Sequence, residues 1–283
     1  MGYVVMVFLL GIAIYLWWTG AVRVAEGYTN TRDVEYYVIH RDGHDAQIKN
    51  VNQNQQRLTS TPLYLFPAVE TTDPAAVDPN LVYVPESFGQ APKDVATYLS
   101  HFAVMKKQYD DLRRPMPTHD ASRHTVDAMM RVWDVSGLPV LDGSENQITL
   151  HPAFAGHTVI LQDNANIVSR TDLDTQLQTL IQTLTANQES FDVLFLGSPS
   201  NAVPGVLPVA GTKDVYLCTG DTPLSVHAYL VRHQSLPTLY RALVSMDAPL
   251  PKKFQNMVAL NQIRALIAYP FLVEQRQDLA TSV

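Results

Sequence analysis

The sequence predicts an α/β protein: an N-terminal single transmembrane helix followed by a soluble domain with a mostly parallel sheet flanked by helices. Three observations predict it. Residues 3–22, YVVMVFLLGIAIYLWWTGAV, carry no charged side chain. Leu173, Leu177, Leu180, Ile181 and Leu184 recur at helical spacing. Beyond Gly156, strand-like runs alternate with helix-like ones, which implies parallel pairing through right-handed crossovers.

The apolar run at residues 3–22 matches the ~20 residues that a helix needs to span a hydrocarbon core. Trp17 and Trp18 lie near its end, where indoles favour the headgroup boundary. No basic n-region precedes it, and AVRVAEG makes a poor cleavage site, so the expectation is a retained anchor rather than a signal peptide. Arg23, Arg32, Arg41, Lys49 and Arg57 follow the run, which places the bulk of the chain in the cytoplasm by the positive-inside rule.

Three segments are expected: an anchor at residues 1–25, a mixed α/β membrane-proximal region at 26–150, and a βαβ-type α/β domain at 151–283. Within the second, VEYYVIH (residues 34–40) is rich in β-branched and aromatic residues and reads as a strand. HRDGHDAQIKNVNQNQQ is polar, contains Asp-Gly, and reads as an exposed loop. RLTSTPLYLFPAV resumes strand character, but Pro62 and Pro67 confine it to an edge. LVYVPESF is a further short strand. Pro92 suits the first turn of a helix whose apolar face is Val95, Leu99, Phe102, Tyr109 and Leu112. Asp120 is placed to cap a second helix with Val126, Met129, Met130 and Trp133 on its face.

In the third segment HTVILQDN reads as a buried strand. Ser169 or Thr171, each followed by Asp three residues on, gives the leucine-striped helix a capping-box-like start. FDVLFLGS and DVYLCTG read as strands, PLSVHAYLVRH as a helix, and residues 252–268 as a last helix that Pro270 stops.

Apolar residues make up 46% of the 283-residue chain and charged residues 17%, enough for a sizeable core. The net charge of −7 offers no general attraction for nucleic acid, and none is expected as a partner. The single cysteine, Cys218, excludes a disulfide framework and any multi-cysteine zinc site, and its strand-like context reads as a buried small hydrophobe.

Ligands in open parallel sheets sit beyond the carboxyl ends of the strands, which directs attention to residues 197–201 and 219–222. Neither loop carries a catalytic signature. Leu196-Gly197-Ser198-Pro199-Ser200 lacks the G-x-S-x-G elbow, and neither serine shares a recognised pattern with His227 or His233. His40, Asp42, His44 and Asp45 form one cluster of possible metal ligands, but Asp-Gly predicts a turn that separates them. His119, Asp120 and His124 form a second, without an H-E-x-x-H pattern. No catalytic, cofactor-binding or metal-binding residue is assigned, and no cofactor is expected.

FDVLFLGSP after a long amphipathic helix, together with TVILQDN, resembles the later half of the MinD and bacterial tyrosine-kinase type of P-loop ATPase. The resemblance implies a decayed relative that keeps the α/β sheet of that family and has lost the nucleotide. The chain departs from the family where it matters most: it has no G-x-x-x-x-G-K-[ST] loop, and Gly197 stands where the metal-binding acid would stand.

The functional expectation is therefore a non-enzymatic single-pass subunit of a membrane-associated assembly of secretion or envelope-export type. Its α/β domain would meet other protein subunits, and residues 3–22 would meet the lipid bilayer. Nucleotide binding is not expected under this reading. The alternative is a membrane-anchored nucleotide-binding-like regulator or enzyme, a diverged relative of the MinD type.

Overall fold

The β-branched and aromatic run VEYYVIH forms strand β1, Val34–His40, and every other element of the sheet is placed by reference to it. The computed structural model describes residues 34–41, 45–58, 63–69, 82–83, 92–113, 156–168, 172–199 and 207–279, all within one compact unit, Val34–Val283. The anchor expected at residues 3–22, the helix expected after Asp120, the His119–His124 cluster, and Asp42 and His44 lie outside the described residues. Among the described residues no helix is long and apolar enough to cross a membrane.

Helix α1 (Asp45–Gln55) follows β1, then edge strand β2 (Leu63–Pro67), helix α2 (Pro92–Arg113), strand β3 (His157–Gln162) and short strand β4 (Ala165–Ile167). Helix α3 (Leu173–Ala186) leads to β5 (Val193–Phe195), the hairpin β6 (Leu207–Pro208) and β7 (Val215–Leu217), and β8 (Ala228–Arg232). Helices α4 (Leu236–Leu243) and α5 (Leu250–Ala259) precede β9 (Ala265–Ala268) and β10 (Val273–Gln275).

Eight strands form one sheet in the order β2-β1-β3-β8-β5-β9-β7-β6, and β10 pairs with β4 in a separate two-stranded ribbon. In the main sheet only β7 and β8 run against the other strands, so the expected mixed α/β architecture with a mostly parallel sheet is present. β1, from the interval 26–150, bonds directly to β3, from the interval 151–283, and carries β2 on its other edge.

Alternation along the strands divides the core between two faces. Tyr37, Ile39 and Ile160 join Tyr98, Phe102 and Met105 of α2, Leu239 of α4 and Phe254 of α5. Tyr36, Val38, Val159 and Leu161 join Val51 of α1 and Leu173, Leu177 and Leu184 of α3. The leucine stripe of α3 packs as its spacing predicts, with Leu180 and Ile181 partly buried at the rim and Gln178 exposed.

Four local expectations are corrected. The polar segment after His40 is helix α1, because its amides bury against β4 rather than meeting water: Asn50 and Asn54 are 1% exposed. SVHAYLVRH contains strand β8, whose Ala228, Tyr229, Leu230 and Val231 are buried on both faces between β3 and β5. The last expected helix stops at Ala259, where a turn through Asn261 (φ 53°) frees residues 265–268 to form the fully buried strand β9. The N-cap of α3 is Asp172, whose carboxylate accepts from the Thr175 N–H at 3.3 Å, rather than Ser169 or Thr171.

Candidate functional site

Strand order reverses beside β1. The chain leaves β1 through α1 on one face of the sheet and pairs β2 on one side. It leaves β2 through α2 on the opposite face and returns as β3 on the other side of β1. The connections leaving the carboxyl ends of β1 and β3 lead in opposite directions along the strand order, to β2 and to β5, and such a switch in order opens a crevice in an α/β sheet. An open cleft of about 620 Å³, its mouth included, lies there between the ends of β1 and β3, helix α2 and β10.

Each wall follows from local structure. Arg41 and Asp163 are the first residues past β1 and β3. Asp163 Oδ2 accepts from the Arg41 N–H at 3.4 Å and lies 3.8 Å from His40 Nδ1. Lys93, Thr97, Ser100 and His101 stand at i, i+4, i+7 and i+8 on α2, so one helix face meets the cleft. Ser100 Oγ donates to Ala96 O at 2.7 Å and accepts from the Val69 N–H at 2.8 Å, tying the exit of β2 to the helix.

The turn carrying Asp163 and Asn164 is held by α1. Asn50 Nδ2 donates to Asp163 O at 2.9 Å and Ala165 O at 2.7 Å. Asn54 donates to Ala165 O at 2.7 Å and accepts from the Ile167 N–H at 3.0 Å, while the Arg57 guanidinium donates to Ile167 O. From the far side the Arg276 N–H donates to Asn164 O at 2.9 Å, in register with Gln275, which also lines the cleft. The turn is thus fixed through its backbone, which leaves the side chains at its apex to meet a ligand.

Behind the cleft wall, burial holds the His101 imidazole down to a pKa of about 3, so it is neutral at physiological pH. The Gln162 amide nitrogen lies 3.2 Å from His101 Nε2, and His101 Nδ1 lies 2.9 Å from Tyr229 Oη. Among the cleft's lining residues Arg41 and Lys93 supply positive charge, Asp163 is the single carboxylate, and Gln162, Asn164 and Gln275 supply amides. The arrangement suits an anionic ligand with hydroxyl groups: cations for its charge, a carboxylate and amides for its hydroxyls.

The described parts of the loops that the sequence singled out are filled instead. A Cβ on Gly197 would come within 2.2 Å of Val273 O and 2.5 Å of His227 Nε2, and one on Gly220 within 2.7 Å of Ala259 Cβ. Ser198 Oγ donates to Pro223 O at 3.3 Å, and Ser200 lies outside the described residues. His227 donates from Nε2 to Val273 O at 3.2 Å and accepts at Nδ1 from Ser225 Oγ at 2.7 Å. His233 Nε2 pairs with Thr158 Oγ1 at 2.9 Å. These histidines are fully buried or nearly so and serve packing. Burial pushes the Cys218 thiol up to about 12, as suits an inert core residue. Of the His40 cluster, His40 lies at the end of β1 and Asp45 opens α1; among the described residues no three potential ligands converge on a metal position.

Sequence reasoning missed this cleft because it searched the ends of β5 and β7. Two signals were available. The buried strand β3 ends in Gln-Asp-Asn, and α2 repeats Lys93, Thr97, Ser100 and His101 along one face opposite its apolar stripe.

No protein-family model matches the chain, and no curated protein matches it. Among solved structures the chain is similar to CMP:2-keto-3-deoxy-manno-octonic acid synthetase complexed with CTP. The likeness covers 83% of this chain and 88% of that one, at 12% identity and a TM-score of 0.36. The matched structure is that of a synthetase, which the expectation of a non-enzymatic scaffold subunit did not foresee. A likeness of this size transfers no substrate or reaction.

Proposed function

We propose that the protein is a group-transfer enzyme that takes a phosphate-bearing, hydroxyl-rich donor, of the nucleotide-activated sugar class, in the cleft between β1, β3 and α2. The observation that carries this reading is the placement of Arg41, Lys93 and Asp163 around one open cleft at the sheet's switch point. The earlier expectation of no nucleotide rested on the missing phosphate loop. Arg41 and Lys93 offer phosphate a different partner, two side-chain cations rather than a glycine-rich backbone.

The side chains define how transfer would proceed. Arg41 and Lys93 stabilise negative charge on the departing phosphate. Asp163 is the carboxylate placed to orient an acceptor hydroxyl and take its proton. His101 is excluded as a base because burial keeps its lone pair a weak proton acceptor, and Ser100 because its hydroxyl is held by Ala96 and Val69. Direct displacement by an acceptor hydroxyl therefore fits the cleft better than a covalent enzyme intermediate. The anchor at residues 3–22 and a cytoplasmic catalytic domain belong to this proposal and place the transfer at a membrane surface.

The test is thermal unfolding of the full chain in mild detergent against a panel of UDP-, GDP- and CMP-sugars. A bound donor raises the melting temperature with the logarithm of its concentration. At least one panel member should do so. The shift should be lost in the Arg41→Ala/Lys93→Ala double variant and reduced in Asp163→Asn. A panel without any saturable shift contradicts the reading.

A further inference from the structure

Gln162 is the last residue of β3 and stands on the α2 face of the sheet, as the alternation from Ile160 requires. Its side chain lines the cleft, and its amide nitrogen is directed at His101. A glutamine in an open cleft is ordinarily free to present either end of its amide to a ligand. Here the wall behind it determines which end faces out.

An N–H of Gln162 directed at His101 Nε2 over 3.2 Å requires that ring nitrogen to be the acceptor. In a neutral imidazole the other nitrogen then carries the proton, so Nδ1 donates to Tyr229 Oη over 2.9 Å. Tyr229 has no freedom to move: its ring is fully buried in β8, stacks on His101 at 5.6 Å, and meets Phe195 at 6.0 Å and Phe254 at 5.6 Å. His101 is likewise fully buried on α2. The chain Tyr229–His101–Gln162 therefore runs from the aromatic core to the cleft surface, and in this tautomer the amide nitrogen turns inward to His101 and leaves the carbonyl oxygen for the cleft.

We propose that Gln162 is the specificity-determining hydrogen-bond acceptor of the cleft, its carbonyl oxygen presented to a donor group of the substrate by His101 and Tyr229 acting as positioning residues. The inference rests on the donor-binding reading above and deepens it. The group recognised is a hydroxyl or N–H on the transferred portion of the ligand. A site built to pair such a group rejects an analogue lacking it, because the amide carbonyl is then left unpaired. The substitution of greatest interest is Tyr229→Phe. Without the phenol oxygen, Nδ1 loses its acceptor, the ring can take the opposite tautomer, and the Gln162 amide can reverse to present its N–H groups.

The experiment has two arms on the full chain in mild detergent. In the ligand-free arm, nitrogen NMR of the imidazoles at neutral pH reads the tautomer of His101, assigned by its loss in His101→Gln. The Nδ1–H form is expected in the wild type; the Nε2–H form, or a charged ring, overturns the relay. In the ligand arm, dissociation constants for the same UDP-, GDP- and CMP-sugars are compared among wild type, Gln162→Leu and Tyr229→Phe. In Gln162→Leu the ratio between the tightest and weakest binders should shrink tenfold or more. In Tyr229→Phe the rank order should change together with the His101 tautomer, which a merely structural role would not produce. A uniform weakening across the panel, or unchanged ratios, overturns the assignment to Gln162. A wild type that binds no panel member overturns the donor reading and the substrate part of this inference together, and the tautomer arm still decides the relay.

Discussion

Single residues carry the sharpest constraints. Gly197 closes β5 where Val273 O and His227 leave no room for a methyl group. Gly197→Ala should destabilise by about 1–3 kcal/mol or more, the usual cost of overpacking, as read from urea unfolding. An unchanged midpoint would show that the contact relaxes freely. His101 and His227 give a pH signature. Burial lowers both pKa values in the folded state, His101 to about 3. Above pH 6.5 both are neutral folded and unfolded, so they add no pH dependence. As pH falls from 6.5 towards 3, the unfolded chain binds protons that the folded chain refuses, and stability declines. For a fully buried imidazole the slope is about 1.4 kcal/mol per pH unit. His101→Gln should remove about one proton from the linkage measured between pH 6 and 4, and an identical slope in that variant would contradict the neutral buried ring.

At the scale of elements, α3 and α1 are a contrasting pair. The stripe of α3 was legible in the sequence because its apolar spacing and its burial coincide. Leu177→Ala should cost about 2–5 kcal/mol, and substitutions at exposed Gln178 should stay within about 0.5 kcal/mol. Helix α1 was not legible. Its buried face is mainly Gln47, Asn50 and Asn54 beside Val51, so polarity read as exposure, whereas Asn50 and Asn54 replace water as partners of the β4 backbone and Gln47 donates to Leu279 O. Asn50→Ala should cost about 1–3 kcal/mol, since it leaves buried carbonyls at Asp163 and Ala165 without that donor. It should also loosen donor binding, because the turn bearing Asp163 loses its tether; full affinity in a folded variant would separate α1 from the site. β8 and β9 were misread for a related reason. Strands buried on both faces lose the alternation that distinguishes them, and short apolar runs such as ALIA fit either period.

For the whole molecule, the sheet order rather than any motif locates the site. Local sequence reports strands and helices, but strand order depends on which face each crossover takes, and β8 enters the sheet between β3 and β5 from far along the chain. The Gly-Ser-Pro exit of β5 drew the search for a site to that strand end, and packing against His227 and β10 explains the feature. The cleft instead gathers Arg41, Lys93, Gln162 and Asp163, residues separated by up to ~120 positions and joined only by the fold. Its central claim is positional, so the most direct measurement is positional. Photo-crosslinking of the full chain with an azido-nucleotide sugar, followed by peptide mapping, should place the label on peptides containing the end of β1, the first half of α2 or the β3–β4 turn, with competition by the unmodified donor. Competed label confined to residues 197–201 or 219–222, with none at those three segments, would contradict the account.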